Sequence, residues 1–163
     1  MTSWWASKVR QFAGHVGASV RADEVRALGT WLTPPQLALF GSMPRADQRH
    51  GLDVVARLRS DGAADPDLLI AGLLHDAGKG RSVRLWHRVG WSLGERYGRA
   101  VRGAFERLPG FAAAFDRMHR HAELSAALAL EAGCSARTAE LIRSQEASTD
   151  AEGEALRRAD EAS

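Results

Sequence analysis

From Asp65 to Lys79 the chain reads DPDLLIAGLLHDAGK. Asp65 is a good N-cap, Pro66 fits the first helical position, and Asp67 complements the helix dipole. The run Leu68 to Leu74 that follows is apolar on nearly every side. A helix with no polar face has to lie at the centre of a domain, packed from several directions at once. It ends on His75-Asp76, an imidazole beside a carboxylate at a buried helix terminus. Burying a polar group without a partner costs ~2–7 kcal/mol. Either fixed hydrogen bonds or a cation must therefore satisfy these two groups. At a helix end both side chains can turn toward one point. Imidazole and carboxylate together suit Fe, Mn, Zn or Co.

The rest of the chain supplies helices to surround that centre. Ala and Leu contribute 47 of the 163 residues, whereas Val and Ile contribute 11. That bias favours helix over sheet, because β-branched side chains lose rotamer freedom on a helix. Trp5, Val9, Phe12 and Val16 recur at helical spacing and predict an amphipathic first helix docked on the core. Thr33-Pro34-Pro35 opens a short helix with Leu37, Leu39 and Phe40, and Pro44 opens a longer one reaching Ser60. Gly78 is expected to cap the central helix. Ser82 starts a helix running to about Leu108, in which Gly90, Gly94 and Gly98 form a stripe suited to close packing, a subunit contact or a bend. Phe111 to Leu130 reads as one helix, Ser135 caps the next through Arg143, and Asp150 or Thr149 caps a last one holding Leu156 and Asp160. The expectation is an all-α, compact single-domain bundle of about six to eight helices. Residues 1–33 form an N-terminal amphipathic extension packed on a domain of residues 34–163.

Charge narrows the partners. The formal net charge is +2, too small for a nucleic-acid footprint. Ten basic residues lie between Lys79 and Arg120 against Glu95, Glu106 and Asp116, so the middle of the chain is suited to attract an anion. Of the 22 basic residues 20 are arginine; the lysines are Lys8 and Lys79. The single cysteine, Cys134, fits a reducing compartment, no apolar run approaches the ~20 residues of a membrane span, and the N-terminal residues show no apolar signal core. The expected location is the cytoplasm. The glycine stripe and the Trp residues leave a homodimer open.

The segment Leu69 to Lys79 resembles the signature of the HD superfamily of metal-dependent phosphohydrolases, all-helical proteins with a spaced pattern of His, then His-Asp, then Asp. The earlier histidine corresponds to His50, on the preceding helix in Asp47-Gln48-Arg49-His50-Gly51-Leu52. The closing element corresponds to Arg158-Ala159-Asp160. The resemblance spans roughly residues 36 to 160 and implies that His50, His75, Asp76 and Asp160 ligate one divalent ion: Mn, Fe, Mg, Co or Zn. In two-metal relatives further histidines hold a second ion. His121 is the better match for that role, and His119 is a candidate for the second ion or for phosphate. The match departs where such relatives place another His after Leu-Ile, because this chain reads Leu141-Ile142-Arg143-Ser144-Gln145-Glu146.

The resemblance implies hydrolysis of a phosphomonoester or phosphodiester by a metal-activated water, with a nucleotide as the expected substrate class. Asp76 would position that water and take its proton. Lys79 would contact phosphate, with Arg81, Arg84 and Arg120 as further substrate-binding candidates. No Gly-Tyr-Pro element is present, which disfavours the cyclic-dinucleotide enzymes; the chain is similar to small stand-alone HD-domain proteins. Two other readings stand beside this one. One is a catalytically weak, metal- or nucleotide-binding regulatory module. The other is a di-iron oxygenase on the same fold. His87 is expected at a surface or capping position, and His15 has no evident partner.

Overall fold

The structure is a computed structural model in which residues 19–163 are described. The amphipathic helix expected around Trp5 to Val16, and His15 with it, lies outside those residues. The described residues form ten α-helices and one 3₁₀ turn, with no strand. The helices are α1 (Ala22–Leu28), α2 (Pro34–Ser42), α3 (Arg45–Ser60), α4 (Pro66–Leu74), α5 (Leu85–Tyr97), α6 (Arg99–Glu106), α7 (Phe111–His119), α8 (His121–Glu131), α9 (Ala136–Arg143) and α10 (Ala151–Ala162). The 3₁₀ turn, Ala77–Lys79, follows α4.

Helix α4 is the centre. Asp65 caps it by accepting from the Leu68 amide at 3.0 Å, and every residue from Leu68 to Leu74 is buried. Around it pack α3, α9 and α10, bringing Val54, Leu58, Leu141, Ile142 and Leu156 onto its sides. Leu28 and Leu32, from the end of the segment expected as an extension, join the same core. Arg49 ties α3 to α1 through Glu24 at 2.7 Å. Ser135 and Asp150 cap α9 and α10 by accepting from Thr138 and Gly153 amides.

Two stretches expected as single helices are each divided, which raises the helix count above six to eight. Gly98, at φ +90°, ends α5 and turns the chain back, so α6 lies against α5 instead of continuing it. Gly90 and Gly94 form the shallow face that receives Phe105 and Arg102 of α6. The stripe is thus both a packing groove and, at its last glycine, a bend. The second division falls at Arg120, between α7 and α8. Helices α5, α6 and α7 share an aromatic layer: Phe111 packs on Phe105 and Phe115, and Phe115 on Trp91. That layer is joined to α3 by Arg88, whose guanidinium donates to both oxygens of buried Asp47 at 2.8 and 2.7 Å.

Candidate metal centre

The antiparallel pair α3 and α4 sets up the centre. Gly51, next to His50, lies so close to α4 that a Cβ there would stand 2.5 Å from the Leu73 carbonyl oxygen. Only glycine permits that approach, and it brings His50 beside His75, with ring centroids 5.2 Å apart. Helix α10 packs on α3 and α4 and delivers Asp160 from the far end of the chain. Asp160 Oδ1 lies 2.7 Å from His50 Nε2 and 3.4 Å from His75 Nε2. Ligand atoms of His50, His75 and Asp160 all fall within 4.8 Å of one another.

His75 caps the end of α4, and its Nδ1 is 2.9 Å from the Gly72 carbonyl. A carbonyl only accepts, so Nδ1 carries a hydrogen and Nε2 is the atom turned toward the cluster. Nε2 also lies 3.6 Å from Asp76 Oδ1. Asp76 opens the 3₁₀ turn, and its Oδ2 accepts from Lys79 Nζ at 2.6 Å. His121, the first residue of α8, donates from Nδ1 to the Met118 carbonyl at 2.6 Å and points Nε2 at Asp76 Oδ1, 3.7 Å away.

The turn itself is held from outside. Gly78 donates to Ser125 Oγ at 2.8 Å, and Arg117 Nε donates to the Gly78 and Lys79 carbonyls at 2.7 and 3.0 Å. A Cβ on Gly78 would run into the His121 carbonyl and the Ser125 amide. Gly78 is therefore a contact point between the turn and α8, where the sequence pattern suggested a helix cap.

Electrostatics follow from burial. His75 is 2% exposed, which disfavours its charged form; Asp76 and Asp160 outweigh that, against Lys79, and lift its pKa to about 9. Burial would raise the Asp76 carboxyl, but Lys79 and the three histidines hold it well below the usual range. Asp160 is likewise raised by burial and brought down on balance by hydrogen bonds from His50 and His75. His121 is pushed down by burial and by the Lys79 charge.

The donor chemistry fits a divalent ion. Ligand atoms ~2.0–2.2 Å from one ion stand at most about 4.4 Å apart. The His50, His75 and Asp160 atoms need to close by only tenths of an ångström to meet that limit. Two imidazoles with carboxylates suit Mn, Fe, Co or Zn.

Asp76, Asp160 and His121 open into a cavity of about 330 Å³ whose wall also carries Lys79, Gln145, Glu146, Arg157 and Glu161. The remaining candidates lie elsewhere. His119 is exposed and Arg120 pairs with Asp116 on the surface. Arg81 donates to the Ser42 carbonyl, and Arg84 lies over the Trp86 ring. None of these four lines the cavity. Sequence reasoning passed over Arg157 and Gln145. Arg157 stands one turn before Asp160, so the i, i+3 relation was the available signal. Gln145, which is buried and donates to the His75 carbonyl at 3.4 Å, lies in the stretch Leu141 to Glu146 where the chain departs from the two-metal pattern. His87 does act as a cap, with Nδ1 accepting from the Arg84 amide at 3.1 Å, but it is buried and not at the surface. Among the described residues no helix is long and apolar enough to cross a membrane. No protein-family model, curated protein or solved structure matches the chain.

Proposed function

We propose that the chain is a metal-dependent phosphohydrolase acting on a phosphomonoester or phosphodiester, with a nucleotide as the substrate class. The observation that carries this reading is the convergence of His50, His75 and Asp160 from three helices onto one point, beside the Asp76–Lys79 pair at a cavity wall. The resemblance of the sequence to the HD superfamily supports it.

His50, His75, Asp76 and Asp160 would hold the ion. Bound there, a divalent ion acidifies water and polarises a phosphoryl oxygen. The chain does the rest. The Gly72 carbonyl fixes the His75 ring so that Nε2 faces the centre. Lys79 fixes Asp76 through Oδ2, and the Oδ1 left facing the centre would orient the attacking water. Lys79, the lysine of the cavity wall, would hold phosphoryl oxygens as negative charge shifts onto them, while Arg157 on the same wall is paired with Glu154 and Glu161. The volume lies at the small end of ~300–1,000 Å³ ligand pockets.

The test is phosphate release from a nucleotide panel by protein loaded with Mn²⁺, Co²⁺, Mg²⁺, Fe²⁺ or Zn²⁺, with chelator as control. Turnover with at least one ion, abolished by chelation, is expected. Silence across the panel overturns the reading. A second reading, a regulatory module that binds metal or nucleotide without turnover, draws on the stretch Leu141 to Glu146, which offers no histidine for a second ion. It predicts nucleotide binding in the same panel with no phosphate released. A di-iron oxygenase needs a second cluster of ligands, and among the described residues one such trio converges.

A further inference from the structure

We propose that one side of α5, together with the link from α6 to α7, is a docking surface for an anionic lipid bilayer. None of its residues lines the cavity.

Among the described residues the exposed large apolar side chains are Trp86, Tyr97, Leu108 and Leu130, each about half exposed. Three of these four fall within one short stretch of the chain. Trp86 and Tyr97 are eleven positions apart on α5, which is three turns, so they project from the same side ~16 Å from one another. The side of Gly90 and Gly94 is taken by α6, whereas that of Trp86 and Tyr97 is open to solvent. Leu108 stands on the link into α7 near the Trp86 end, because Phe111 just beyond it meets the His87 ring at 4.8 Å.

Arginine accompanies each of the three. Arg84 lies over the Trp86 ring at 5.1 Å and Arg96 over the Tyr97 ring at 5.6 Å. Arg99 follows Tyr97 at the start of α6, and Arg107 precedes Leu108. All four arginines are exposed. Of the acids in this part of the chain, Glu106 pairs with Arg102 and Asp116 with Arg120, which leaves Glu95 against the four. The surface therefore combines positive charge with aromatic and aliphatic groups.

That combination matches a bilayer better than a nucleic acid. Single-stranded nucleic acid stacks its bases on open aromatic faces. Here the Trp86 and Tyr97 rings each carry a guanidinium over one face, and the Trp86 ring also meets His87. Leu108 has no counterpart on a sugar-phosphate backbone. At a bilayer interface Trp and Tyr settle at headgroup depth and leucine enters the acyl boundary. Arginine stems lie along that apolar surface while their forks reach lipid phosphate.

The experiment is co-sedimentation of the full chain with vesicles of phosphatidylglycerol and phosphatidylcholine in equal parts, against phosphatidylcholine alone. The wild type is expected to bind the anionic vesicles, to lose them as salt is raised, and to ignore the neutral ones. Arg96→Gln with Arg99→Gln is expected to weaken binding about 30-fold, at about fivefold per arginine. Tyr97→Ser with Leu108→Ser keeps every charge and is expected to weaken it about tenfold or more. Leu130→Ser, an exposed leucine on α8, is expected to change nothing. Thermal melts check each fold, and the single variants Arg99→Gln and Leu108→Ser replace any double variant that melts early. No binding by the wild type, equal binding to neutral vesicles, or undiminished binding by either double variant overturns the proposal. So does a fluorescent oligothymidylate that binds while vesicles do not, which would assign the surface to nucleic acid. A wild-type dimer that Tyr97→Ser with Leu108→Ser converts to monomer would assign it to a second copy and overturns the proposal as well.

Discussion

Asp160, 110 positions beyond His50 in sequence, accepts from that imidazole and also faces His75, and its charge holds the cluster together. Asp160→Asn keeps the shape and removes that charge. Outer-shell changes cost ~10–100-fold in metal affinity. Loss of a ligand charge is expected to exceed that, lowering Mn²⁺ affinity by more than about 100-fold in calorimetric titration. Unchanged affinity would remove Asp160 from the ligand set. His87 presents the opposite electrostatic case. Burial and then the Arg84 charge push its pKa below 6.5, against a bond to the Ser82 carbonyl. The folded state therefore resists protonation that the unfolded chain accepts. The stability His87 contributes is present above pH 6.5 and is lost as pH falls through the window below it. His87→Gln keeps an acceptor for the Arg84 amide and does not titrate. In thermal melts its deficit relative to the wild type is expected to be largest at pH 7.5 and to shrink by pH 5.5; a constant deficit refutes the argument.

The helices show where local chemistry decides structure and where packing does. Asp65, Ser135 and Asp150 were readable as caps because each offers a short polar side chain immediately before an apolar-periodic run, and each accepts the expected amide. The division at Gly98 was half readable. A glycine stripe signals close approach, but whether the chain bends or continues depends on what packs there, and Phe105 and Arg102 come from residues further on. Arg120 carries no breaking residue type, so the split between α7 and α8 was invisible. It nevertheless places His121 at a helix start facing Asp76. Glycines sort by the same logic. Gly78 touches the α8 backbone, so Gly78→Ala is overpacked and is expected to destabilise by ~1–3 kcal/mol. Gly103, inside α6, has open space where its Cβ would be, so Gly103→Ala is expected to stabilise by ~0.5–1 kcal/mol. Denaturant unfolding of the pair checks both; shifts of the same sign would contradict the packing argument.

Across the whole molecule, the order of His50, His75-Asp76 and Asp160 was readable from the sequence, because the motif elements stand in sequence order. The cavity wall was not. Of the ten basic residues between Lys79 and Arg120, Lys79 alone lines the cavity, while Arg157 reaches it from the acidic end of the chain. Linear charge density says where cations are abundant, not which way α5, α6 and α7 face. The wall sets Asp76, Glu146, Asp160 and Glu161 against Lys79 and Arg157, an acidic balance that a divalent ion offsets. That ion would also bind α3, α4 and α10 to one point, a grouping the unfolded chain does not preserve. Binding to the folded state alone stabilises by ~2.7 kcal/mol at one hundred times Kd. In a domain of this length that corresponds to a rise of about 5–10 °C in Tm. Metal-free protein melted with and without saturating Mn²⁺ is expected to show this rise, and chelator to reverse it. His75→Ala, which removes one ligand from the cluster, is expected to show no rise at the same Mn²⁺ concentration. A full rise in that variant would place the ion elsewhere, and with it the chemistry assigned to this cavity.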